Sequence, residues 1–240
     1  MHQDLPHEWA AHLPTAGRIS LWLLGDVFLA LIPVVFARWL RRGIDGEVSA
    51  GRRLRWWLWA PLALLWLLFL PNTAYLLTEW RHYLTTIIVN QSTYYPVVRG
   101  RAYAVDATRN LLFLTAFFGL FSGIGMVTMV AAIRPIEALL SRYAAKVRVW
   151  AIPALFVFCS VGVYLGLVDR LNSWEPLDAR TVTLVATSPA HIAGSPWLMV
   201  IILWFAAFLW LFYRFVTRRA AVDPTALPAS QAVDELSQRV

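Results

Sequence analysis

The sequence predicts an all-α fold, a polytopic membrane helix bundle. Three observations predict it: 59% hydrophobic residues against 15% charged, a mean hydropathy of +0.58, and apolar runs of membrane-spanning length. A soluble domain of 240 residues cannot hide that much apolar surface. About 30 Å of hydrocarbon needs roughly 20 helical residues at about 1.5 Å each. Runs near 19–38, 56–77, 110–133, 149–169 and 196–216 meet that length, so about five transmembrane helices are expected. Residues 1–18 read as an extracytoplasmic N-terminal arm, 19–216 as the transmembrane helical domain, and 217–240 as a flexible cytoplasmic tail.

Each run has its own local signals. The first is too long for a signal peptide, has only Arg18 as a cation before it and no small-residue cleavage site after it, so it reads as a retained helix. The second carries no charge from Trp56 to Leu70 and meets Pro71, which is expected to break the helix, with Asn72 capping a new turn. The third and fourth contain Gly119-x-x-x-Gly123 and Gly162-x-x-x-Gly166, small-residue faces expected to let helices approach closely. Between them, 134–148 reads as a short amphipathic surface helix. Ser188-Pro189 and Ser195-Pro196 both read as helix starts, the second opening the last span. Cys159, the only cysteine, lies inside an apolar run and reads as a packing residue.

Charge asymmetry sets the orientation. Arg38, Arg41, Arg42, Arg52, Arg53 and Arg55 follow the first run; Arg134, Arg142, Lys146 and Arg148 follow the third; Arg214, Arg218 and Arg219 follow the fifth. These dense clusters are expected in the cytoplasm, with the N-terminus outside and the C-terminus inside. Trp39, Trp56, Trp57 and Trp150 then mark the inner interface, and Trp80, Trp174 and Trp197 the outer one. The basic pI thus reflects placement in a lipid bilayer and not a nucleic-acid partner.

This topology gathers polar residues at the outer face. Asn72, Tyr75, Glu79 and His82 recur at helical spacing, with Thr78 beside them. Asp106, Arg109 and Asn110 open the third span, and Arg170, Asn172, Trp174 and Glu175 follow the fourth. Such groups at a membrane boundary are costly unless they meet partners or a ligand. Glu79, His82 and Asp106 are the candidate acid–base groups. Asn72, Tyr75, Thr78, Arg170, Asn172, Trp174 and Glu175 are the candidate substrate-binding groups. Glu79-x-x-His82, with Asp106 or Glu175, also has the donor set for a divalent metal. No cofactor motif is present. Asp26, about two turns inside the first span, costs on the order of 3 kcal/mol if ionised, and should be protonated or paired within the bundle.

The strings FLPNTAYLLTEWRH and GVYLGLVDRLNSWE resemble the signatures of a bacterial multi-pass membrane family, catalogued as domain of unknown function thirteen sixty-one. The resemblance covers roughly residues 20–215. Leu70, Pro71, Asn72, Tyr75, Thr78 and His82 match its first motif, and Gly166, Arg170, Asn172, Ser173 and Trp174 its second. Glu79 and Glu175 stand where the family has Asp, and Leu167 where it has a second Arg. The resemblance implies the fold and a bacterial cytoplasmic (inner) membrane location, and no reaction. Three functions fit: a polar pocket that binds or processes a lipid-linked or cell-envelope substrate, a subunit or assembly factor contacting a membrane-protein partner or a second copy, and a proton-coupled carrier using Asp26.

Orientation is directly testable. In a Cys159→Ala background, single cysteines at Gly51 and at Ala144 should be protected from an impermeant maleimide in intact cells. One at Thr93 should react; labelling of all three would overturn the orientation.

Overall fold

The computed structural model describes residues 15–80, 84, 101–169 and 179–221. The N-terminal arm and most of the tail lie outside these residues. Among the described residues there is no strand. The helices are α1 (Thr15–Ser49), α2 (Trp56–Phe69), α3 (Pro71–Tyr75), a 3-10 turn (Leu76–Glu79), α4 (Arg101–Tyr143), α5 (Ala145–Tyr164), a π turn (Leu165–Asp169), α6 (Ala179–Ala193) and α7 (Pro196–Ala221). The stretches Trp56–Glu79, Leu111–Tyr143, Ala145–Val168 and Pro196–Arg218 are long and apolar enough to cross a membrane. The chain is therefore an all-α, multi-pass membrane bundle.

The core is the seam where these helices meet. On α1, Ala30, Val34, Ala37 and Leu40 are buried at helical spacings of four, three and three. Val34, Ala37 and Leu40 pack with Trp66 and Leu70 of α2, Met129, Ala132 and Ile133 of α4, Phe156 and Cys159 of α5, and Leu209 and Tyr213 of α7. The outward faces carry Trp150, Trp197, Trp204 and Leu211, exposed as lipid contact requires. Cys159 is fully buried, the packing role expected of it.

All the basic clusters lie at one end, where acidic side chains tie neighbouring helices together. Glu47 accepts hydrogen bonds from Arg55 N (3.0 Å), Arg55 Nε (2.6 Å) and Trp59 Nε1 (3.1 Å), closing the α1–α2 corner. Asp45 accepts from Tyr143 Oη (2.9 Å) and Arg142 Nη1 (3.4 Å) at the end of α4. Glu137 of α4 accepts from Tyr213 Oη of α7 and meets Arg148 of α5 at 3.8 Å.

Several local expectations are corrected. Of the basic stretch after the first apolar run, only Arg52, Arg53 and Arg55 fall in the connection to α2; Arg38, Arg41 and Arg42 lie on α1, which stays helical to Ser49. Arg41 and Asp45 pair across one turn there, and Gly43 leaves room for the Trp59 ring. Residues 134–148 are not a separate surface helix; α4 runs unbroken through Pro135, and the break comes at Ala144, with φ −149°. Pro189 lies inside α6 and does not start it, whereas Pro196 does open α7.

The close approaches also differ from the two Gly-x-x-x-Gly patterns. A Cβ on Gly119 or Gly123 would meet nothing within 4 Å, so this pair does not pack helices. Gly125 does: its Cβ would stand 2.7 Å from the Thr73 carbonyl oxygen and 2.9 Å from Leu76 Cβ. At Gly162 a Cβ would stand 2.5 Å from Pro71 Cγ. The Pro71–Leu76 segment is thus gripped between α4 and α5 at two positions where only glycine fits.

Gly125→Ala and Gly162→Ala should each destabilise the bundle by about 1–3 kcal/mol, the usual effect of overpacking. Gly119→Ala and Gly123→Ala should be neutral or stabilising by up to about 1 kcal/mol, because alanine is the better helix former. Thermal unfolding in detergent compares the four. The hydrogen bonds to Glu47, led by the Arg55 N–H, hold its carboxyl down from 4.5 to about 2. A depressed carboxyl stabilises above its unfolded value and loses that contribution as pH falls. The stability gap between wild type and Glu47→Gln should therefore be constant above about pH 5 and close between 4.5 and about 2.

Candidate functional site

The site begins at the Pro71 junction. Leu70 keeps right-handed helical angles (φ −56°, ψ −41°), and its N–H is shared between Trp66 O (3.0 Å) and Leu67 O (3.3 Å). Pro71 opens α3 at a position whose missing N–H is no loss, so it re-aims the helix without ending it. Asn72 does not cap the new turn by accepting an N–H as expected. Its Nδ2 donates to Phe69 O at 3.1 Å, while Thr73 Oγ1 donates to Leu70 O at 2.8 Å. These side chains bond carbonyls one turn back, and Leu70 O also accepts the Thr73 backbone N–H at 3.1 Å.

The tightening to a 3-10 turn then decides which side chains face inward. Three residues per turn nearly eclipse positions i and i+3. Thr73, Leu76 and Glu79 form one buried row, and Asn72, Tyr75 and Thr78 a half-buried row beside it. Glu79 thereby leaves the stripe it was expected to share with Asn72 and Tyr75. It is 1% exposed, on a segment that touches both α1 and α4. The neighbouring Trp80 Nε1 donates to Ser122 Oγ of α4 at 2.6 Å.

Asp26 is carried to the same level. It lies one turn before Ala30 on the buried seam of α1, and its Oδ2 is buried without a hydrogen-bond partner. The antiparallel packing of α1 on α2 sets Gly43 against Trp59 and Phe36 edge-on to Phe69. Continued about three turns further, that register brings Asp26 to the turn that ends at Glu79. The α1–α4 pairing agrees: Asp45 bonds Arg142, and the same offset sets Asp26 beside Gly123, next to Ser122. Nineteen residues separate Asp26 from Asp45, about 28 Å of helix. The two carboxylates thus lie about one hydrocarbon thickness from the arginine end, near the opposite boundary.

The remaining candidate residues divide by position. Asp106 is placed only by its backbone on α4, sixteen residues from Ser122 and about 24 Å along the axis. That helix does not bring it to the level of Glu79. Arg109, on the same stretch, is exposed. His82, Arg170, Asn172, Trp174 and Glu175 lie outside the described residues, and α5 with its π turn ends immediately before Arg170. Among the described residues no three His, Cys, Asp or Glu side chains gather to hold a metal.

Sequence reasoning missed Gly125, Ser122 and the Glu47 and Glu137 ties. Gly125 is only two residues from the Gly119–Gly123 pattern, and spacing alone gave no reason to prefer it. No curated protein and no solved structure matches this chain. A family model described as "Protein of unknown function (DUF1361)" matches residues 26–212, from Asp26 to the middle of α7, and the chain belongs to that family.

Proposed function

We propose that this chain is a five-span protein of a bacterial cytoplasmic membrane, with its arginine end inside. At its extracytoplasmic end a polar site binds or processes a lipid-linked or cell-envelope substrate. The burial of Glu79 at the level of Asp26 carries the reading. Two carboxylates drawn onto a buried seam, where apolar side chains would pack better, make sense as groups kept for a ligand. A carboxylate accepts hydrogen bonds and cations, so the group held there is a donor or a positive charge.

In this reading Glu79 and His82 are the acid–base pair. Asn72, Tyr75 and Thr78 form the polar row beside them, and Arg170, Asn172, Trp174 and Glu175 orient the polar or anionic part of the substrate. A divalent metal held by Glu79, His82 and Glu175 is a variant of the same site. Asp106 has no part in it.

One observation favours a second reading. A buried acceptor oxygen on Asp26 without a partner suits a carboxyl that takes up and releases a proton, as a proton-coupled carrier requires.

In nanodiscs formed directly from membranes, the wild type should retain an envelope lipid that Glu79→Gln loses, as read by lipid mass spectrometry; identical lipid complements would overturn the substrate site. Asp26→Leu should raise stability by about 1–3 kcal/mol, because it removes a buried carboxylate oxygen that no hydrogen bond among the described residues supports. A loss of stability would show that the carboxylate is structural. In proteoliposomes, proton flux unchanged by Asp26→Asn would rule out the carrier.

A further inference from the structure

We propose that a groove at the start of α5 binds one anionic phospholipid. Its phosphate meets Lys146, and an acyl chain lies over Trp150, Ala151 and Ala154. The groove has a volume of about 560 Å³ and is lined by Lys146, Val147, Trp150, Ala151 and Ala154. These positions form one face of the helix. The opposite face, with Ile152, Phe156, Cys159 and Val163, is packed into the bundle. The groove therefore opens toward lipid, and its occupant must be one that lies along a membrane protein's flank.

Charge selects which lipid. The cations on either side are engaged by the protein: Arg142 by Asp45, and Arg148 by Ser141 and Glu137. Lys146 is exposed, and no ion pair holds it among the described residues. It is also the only lysine in a chain of twenty arginines. A compact ammonium on a flexible stem follows a phosphate at the interface as a point charge. One turn further into the membrane, Trp150 is 79% exposed, at the depth where an indole spans the boundary between headgroup and chain. Ala151 and Ala154, with their small side chains, leave a shallow apolar hollow beside the indole, open to one side. A cation at the mouth with about two turns of apolar lining below matches a lipid phosphate attached to its chain. Free phosphate would make no use of the lining. The inference rests on the membrane character of the chain and not on the carboxylate site at the far end.

The test is native mass spectrometry of the full chain, released from micelles holding phosphatidylglycerol and phosphatidylcholine with identical acyl chains. Wild type and Lys146→Arg should retain phosphatidylglycerol in preference. Lys146→Glu should reduce that retention about fivefold or more, the factor that one basic residue near an anionic surface supplies. Trp150→Ala should weaken both lipids alike. If Lys146→Glu fails to fold, Lys146→Gln should show the same loss. Equal retention of the two lipids by the wild type, undiminished phosphatidylglycerol on a folded Lys146 variant, or its displacement by millimolar inorganic phosphate would overturn the proposal.

Discussion

The packing of the Pro71–Leu76 segment between two glycines is the constraint from which the end of the bundle opposite the arginines follows. Pro71 presses toward Gly162 and the Thr73 carbonyl toward Gly125, at distances that no side chain on either glycine would allow. Close backbone approach is how helices gain packing energy in lipid, where apolar side chains have no preference for one another over the solvent. The grip also fixes rotation. With Pro71 turned to α5 and Thr73 to α4, the following 3-10 turn has one way to go, and Glu79 is carried inside with Leu76. A carboxylate would not choose that position; the backbone imposes it.

The two ends of the bundle handle charge in opposite ways. At the arginine end each described acidic group is shared among several donors: Glu47 with Arg55 and Trp59, Asp45 with Arg41, Arg142 and Tyr143, Glu137 with Arg148 and Tyr213. These bonds join helices distant in sequence, so that end serves as the clamp of the structure. Near the other boundary, the Asp26 Oδ2 is buried without any such bond.

Much of this was legible in the chain. Uninterrupted apolar runs such as Trp56–Leu70 leave no alternative to a helix in lipid, and Ser195-Pro196 announces the last helix correctly. The errors share a cause. Propensity makes Asn72 an N-cap, but the helix continues through Leu70, and the Asn72 side chain donates to the Phe69 carbonyl one turn back. Local signals make Pro189 a helix start and 134–148 a separate helix, yet Pro189 and Pro135 both lie within continuous helices. The Gly-x-x-x-Gly spacing is a property of one helix, whereas the choice of Gly125 over Gly123 depends on how that helix is rotated against its neighbour. Glu79 was placed on the face that a 3.6-residue period predicts, and the tighter turn moved it.

The longest helix has a further consequence. The 43 residues of α4 extend about 65 Å, roughly twice the thickness of the hydrocarbon they cross. With its last turn tied to Asp45 at the arginine end, its first turns must stand clear of the lipid, in the aqueous space beyond the far headgroups. Asp106 and Arg109 ride on that projecting stem, well above the buried carboxylates.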